Sequence, residues 1–182
     1  MQPIRHLTGS LESLATAEHY LFTPDDLRAL FPNTSASAFK TLLSRSERGK
    51  HLARVCRGLY LYERADYPRG LVLFHAAARL RADAFNYISL ETALSDAGVI
   101  SQMPIDSITV MSSGRSNTIR CGAWGTIAFV HTRKSPDAVA NQLHYDQRCH
   151  LWRASVTLAV QDMRDTRRNM DLIDWRLVNE PV

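Results

Sequence analysis

The chain has 182 residues, 45% hydrophobic and 22% charged, with 22 Lys/Arg against 18 Asp/Glu and a formal net charge of +4. That length allows one ordinary domain or two small ones, and the composition supports a buried core rather than a disordered chain. No apolar run approaches the roughly 20 residues a membrane helix needs, and the opening MQPIRHLTGS lacks a signal peptide's apolar centre, so a cytoplasmic protein is expected.

Along the chain, Ser10 can cap a first helix with Leu11, Leu14 and Ala15 as its apolar stripe. The next start signal is stronger. In TPDDLRALFP, Thr23 takes the N-cap, Pro24 the first helical position, and Asp25 and Asp26 face the positive end of the helix dipole. Leu27, Leu30 and Phe31 form its buried side, and Pro32 stops it. A third helix is predicted from Ser35 to about Arg48. At about 100° per residue, Ala36, Phe39, Leu42 and Leu43 share one side, while Ser37, Thr41, Ser44, Arg45 and Arg48 share the other. Gly49 is a natural residue to end it. Leu52–Cys56 and Leu59–Tyr62, separated by Arg57-Gly58, read as a tight β-hairpin.

Helix, helix, helix and hairpin in that order predict a winged helix-turn-helix over residues 1–67. The polar stretch from Glu63 to Gly70 marks the boundary, and residues 68–182 are expected to form a mixed α/β C-terminal domain, giving an α+β fold class overall. Within it, Leu71–Arg81 reads as a helix and Asn86–Ser89 as extended, with Ser89 capping a helix over Leu90–Ala97 that Gly98 ends. Ile105–Met111 is a strand, and Thr118–Cys121 and Thr126–Thr132 pair around a glycine turn. Ala154–Val178 is helical with a break.

The charge is not evenly spread. Ser35–Arg64 holds seven Lys/Arg and two Glu, a net of +5, while the remainder holds fifteen bases and sixteen acids. A helix entering a DNA major groove needs small polar and basic groups on its outer face, and a wing needs bases at its tip to grip a phosphate. Ser37, Lys40, Thr41, Ser44, Arg45, Arg48, Lys50, Arg54 and Arg57 meet that description and are the candidate DNA-binding residues. The bland alternative is a solvated basic face.

Other chemistries find less. The three cysteines, Cys56, Cys121 and Cys149, form no CxxC pair and read as free thiols. His144, Asp146, Cys149 and His150 are metal-ligating types, but six residues separate the two histidines and they do not share one helix face, so no metal is expected. His75 reads as a core or boundary histidine. Glu91 and Asp106 could be imagined as Mg²⁺-binding nuclease carboxylates, yet no lysine stands at a convincing spacing. No nucleophile elbow, phosphate loop or dinucleotide fingerprint is present, so no catalytic residues, no cofactor and no enzyme are expected. Arg164, Arg167 and Arg168, interleaved with Asp162, Asp165 and Asp171, read as a helix surface laced with local ion pairs. The minority reading is a basic contact surface for nucleic acid or a partner.

Several stretches taken together resemble a known family. They are Arg57-Gly58-Leu59-Tyr60, YISLETALSDAGVI (Tyr87–Ile100), the strand Ile108–Met111, IAFVHT (Ile127–Thr132) and ASVTLAVQDM (Ala154–Met163). The chain is similar to the AbiEi antitoxins of AbiE-type (type IV) toxin–antitoxin systems. The resemblance implies a winged helix that binds inverted repeats in its own promoter as an autorepressor. It also implies a C-terminal domain that counters a nucleotidyltransferase toxin, generally without a stable complex. An inverted repeat implies two copies on DNA, as a homodimer or as cooperating monomers. The other reading open at this point is a winged-helix repressor whose C-terminal domain serves only dimerisation or ligand sensing.

Overall fold

A computed structural model describes residues 2–101 and 105–178. The chain forms two compact units, Met1–Val72 and Leu73–Val182, each with its own sheet, in a mixed α+β arrangement.

In the first unit, α1 spans Pro3–Leu14, β1 Leu21–Phe22, α2 Pro24–Ala29, α3 Ala36–Arg48, β2 Ala53–Cys56 and β3 Leu59–Leu61. The first helix begins seven residues before the expected cap. Proline tolerates the first helical position because its missing N–H would be unsatisfied there anyway, so Pro3 starts the helix and Ser10 lies inside it. Its buried residues are Leu7 and Leu11, one turn apart, whereas Leu14 is 47% exposed. The second helix starts as expected, in a reciprocal cap. The Asp26 N–H donates to Thr23 Oγ1 at 3.2 Å, and the Thr23 N–H donates to Asp26 Oδ2 at 2.7 Å. Leu7, Leu11, Leu27, Phe31, Phe39, Leu42, Leu43 and Leu52 close one apolar core beneath the three helices. The hairpin gains a third strand, with order β1-β3-β2, through Leu21 opposite Leu61 and Phe22 opposite Tyr60.

In the second unit, α4 spans Val72–Leu80, β4 Asn86–Ile88, α5 Leu90–Asp96, β5 Ser107–Ser112, β6 Asn117–Arg120, β7 Thr126–His131, α6 Pro136–Val139, β8 Leu143–Asp146, β9 Leu151–Ala154, α7 Val156–Asp165 and α8 Trp175–Val178. The sheet runs β6-β7-β5-β4-β9-β8, with β7 parallel to β5 and β9 parallel to β4. The hairpin β8–β9 was not foreseen. It occupies HYDQRCH and its neighbours, and the turn places His150 in the left-handed region at φ 56°.

One sheet face carries α5 and α7. Ser89 leads directly from β4 into α5, and the next residue, Leu90, holds φ 57°. Ser89 makes no cap bond; its hydroxyl instead donates to Asp162 Oδ2 on α7 at 2.7 Å. Thr92 and Thr109 tie α5 to β5, the Thr109 N–H donating to Thr92 Oγ1 at 2.7 Å. On the opposite face, Arg81 follows α4 and stacks over the Phe129 ring at 4.0 Å. Gly125 is required where β6 turns into β7. Its φ is 117°, and a Cβ there would come within 2.0 Å of the Asp106 carbonyl oxygen.

The expected helix over Ala154–Val178 is several elements: the end of β9, then α7, a 3₁₀ turn at Met170–Leu172, and α8. Arg167 at φ 55° makes the break. No helix among the described residues is long and apolar enough to cross a membrane.

Candidate nucleic-acid interface

The α3 helix owes its exposed face to its caps and its apolar spacing. Ser35 accepts the Ala38 N–H at 3.3 Å and fixes where the helix begins. Phe39, Leu42, Leu43 and Ser46 then fall inward. Ser46 satisfies its buried hydroxyl by donating to the Leu42 carbonyl at 2.9 Å. Fixing that side fixes the other. Ser37, Lys40, Thr41, Ser44, Arg45 and Arg48 are all exposed.

The helix ends differently from the expected glycine cap. Gly49 has φ −79°, an ordinary value, and Lys50 takes the left-handed position at φ 55°. Space, not backbone freedom, explains the glycine. A Cβ at Gly49 would sit 2.9 Å from the His51 ring and 3.2 Å from the Arg45 carbonyl. Lys50 is exposed at this corner. The chain then enters β2 and turns at Arg57-Gly58, with Cys56 opposite Leu59 and Gly58 at φ 82°. The register shifts between Arg54 and Cys56, and both Arg54 and Arg57 are exposed.

All nine candidate residues thus lie exposed on α3, its C-terminal corner, and the β2–β3 hairpin. Among the described residues, none of the six cations Lys40, Arg45, Arg48, Lys50, Arg54 and Arg57 forms an ion pair. All three hydroxyls of the set are partly committed: Ser37 Oγ shares a hydrogen bond with Ser35 Oγ at 3.2 Å. Thr41 Oγ1 donates to the Ser37 carbonyl at 3.0 Å, and Ser44 receives Arg48 Nη2 at 3.4 Å. Thr41 therefore keeps acceptor capacity and a methyl group, but its proton is used.

The other sequence candidates do not assemble into a site. Asp146 accepts from the Cys149 N–H at 3.3 Å and from Arg153 Nη2 at 2.9 Å. Burial alone would raise its carboxyl; the Arg153 guanidinium and the Cys149 contacts outweigh that and hold it below the usual range. Burial, then the charge of Asp146, pushes the Cys149 thiol up to about 11. His150 stacks flat against His75 at 4.3 Å, and buried His75 donates from Nε2 to the Arg148 carbonyl at 2.7 Å. Among the described residues no group of three or more His, Cys, Asp or Glu could hold a metal ion.

Glu91 is buried and pairs with Arg168 at 3.3 Å, while Asp106 is exposed. The arginines near the C-terminus do not form the expected local ladder. Asp162 and Asp165 both turn to Lys134, at 2.5 and 2.8 Å, and Arg164 lies over the Trp175 ring at 5.5 Å. Sequence spacing could not reveal this, because Lys134 is 28 residues from Asp162.

No protein-family model matches the chain, and no curated protein matches it significantly.

Proposed function

We propose that Met1–Val72 is a winged helix-turn-helix that binds double-stranded DNA. In this reading α3 lies in the major groove and the β2–β3 hairpin grips the flanking backbone. The observation that carries the proposal is the set of six exposed cations, unpaired among the described residues, on one continuous run of helix, corner and hairpin. Leaving that many positive charges unneutralised raises the folded state's self-repulsion. A polyanion relieves it and gains from counterion release. Small hydroxyl residues between the cations let the helix backbone come close to base edges.

The likeness of YISLETALSDAGVI and its companion stretches to AbiEi antitoxins extends the proposal. The protein then represses its own promoter at inverted repeats and counters a nucleotidyltransferase toxin without forming a stable complex with it. A gel-shift assay on the duplex immediately upstream of the gene tests the DNA-binding half: a shifted band at low salt is expected, and its absence with folded protein overturns it. Co-expression with the adjacent reading frame tests the antitoxin half. Growth should be rescued; no rescue leaves a repressor whose second unit does something else.

A further inference from the structure

Beside the basic face of α3 lies a groove of about 420 Å³ whose walls are mostly apolar. Pro3 and Ile4 at the start of α1 line one side; Ala38, Thr41, Leu42 and Arg45 of α3 line the other. The four α3 residues stand at i, i+3, i+4 and i+7, so they form one stripe along the helix. Thr41 and Arg45 belong both to this stripe and to the proposed DNA-facing set. The groove is therefore continuous with that face.

Resting on the DNA-binding proposal, we infer that this groove reads thymine by its C5-methyl group. Four observations combine. The walls carry hydrocarbon from the Pro3 ring and the Ile4, Ala38 and Leu42 side chains, beside the polar Gln2, Thr34, Thr41 and Arg45. The Thr41 hydroxyl proton is already given to the Ser37 carbonyl, which leaves the methyl as that side chain's uncommitted apolar part. Lys40 and Arg45 are exposed nearby on the same helix, so an apolar group delivered there arrives on a polyanion. Finally, the wall residues Ala38 and Thr41 lie in the first half of α3. The N-terminal part of a recognition helix is where base edges are read. Thymine alone among the bases presents a methyl group in the major groove, and alanine and threonine methyls are its usual partners. The volume admits more than one methyl, so a run of A·T pairs fits better than an isolated one.

The test uses full-length protein and the upstream duplex, prepared in two forms. One carries thymine; in the other, every thymine is replaced by deoxyuracil. The exchange deletes the methyl groups and leaves every hydrogen-bonding group in place. Fluorescence anisotropy at fixed salt should show weaker binding to the uracil duplex, by about fourfold if one methyl is buried and about fifteenfold if two are. The salt dependence should be the same for both duplexes, because a methyl carries no charge. Thr41→Ser keeps the hydroxyl and loses only the methyl; Ala38→Ser places a hydroxyl on the groove wall. Both should bring the thymine-to-uracil ratio towards one.

Equal binding of the two duplexes by the wild-type protein overturns the inference and leaves DNA binding standing. That is also the outcome if the groove holds a small amphipathic molecule instead. A ratio unchanged by both substitutions overturns the groove as the reader. Failure to bind either duplex at low salt overturns the DNA-binding proposal itself.

Discussion

Removing single positive charges from α3 and the hairpin should change the salt dependence of DNA binding in countable steps. Lys40, Arg45, Arg48, Lys50, Arg54 and Arg57 are exposed and, among the described residues, without acidic partners. None must break an ion pair before reaching a phosphate. If each neutralises one, log K against log salt falls with a slope of about −5, and binding weakens by about a thousandfold between 50 and 200 mM salt. Each single change to alanine should make the slope shallower by about 0.9. Arg45→Ala or Arg48→Ala should cost a further 1–3 kcal/mol or so, selectively by sequence, where the arginine also reads a base. Anisotropy titrations of a labelled upstream duplex over a salt series, for the wild type and six single variants, supply every slope. A wild-type slope shallower than about −2 would refute the reasoning. So would six variants with the wild-type slope, since the charges would then not be the ones meeting phosphate.

Other expectations concern stability. Asp162→Ala removes a fully buried carboxylate that holds Ser89 and Lys134, and urea denaturation should show a loss of about 3–5 kcal/mol. Gly125→Ala forces a Cβ into the Asp106 carbonyl at a backbone angle that side chains rarely adopt, so a loss of about 3 kcal/mol or more is expected by the same measurement. Thr23→Ala breaks the reciprocal cap of α2 and should cost about 1 kcal/mol. The Asp146 carboxyl is held below its ordinary value in the folded chain, so it contributes stability above the unfolded value, near pH 4, and loses it as pH falls further. Asp146→Asn should therefore flatten the acid limb of stability against pH; an unchanged limb would mean that other carboxylates carry it.

The parts of the fold legible in the sequence are those whose local signals agree with their packing. Thr23-Pro24-Asp25-Asp26 names its own cap, and Ser35 with Phe39, Leu42 and Leu43 sets both the start and the facing of α3. The exposure of the six candidates on α3 was readable because it follows from that single facing, and that of Lys50, Arg54 and Arg57 because they sit at a corner and on a short hairpin. The two-residue strand β1 left no period to detect, and it forms only because β3 offers a partner. The hairpin β8–β9 was hidden because each strand is only four residues long and its turn depends on His150 adopting a conformation usual for glycine. Lys134 was invisible as a partner of Asp162 because no sequence period links a loop lysine to a helix so far away. The methyl-lined groove was missed for a related reason: Pro3 and Ile4 acquire meaning only once α1 is known to begin at Pro3 and to border α3.

The strand order of the larger sheet has a consequence for how the protein emerges from the ribosome. Its β4 is bracketed by β5 on one side and by β9, more than sixty residues downstream of β4, on the other. The sheet cannot close until translation has passed Ala154, and until then β4 exposes an unsatisfied flank. The three strands of the first unit are all in hand by Leu61. The nascent chain can therefore complete its N-terminal module while the rest is still being translated.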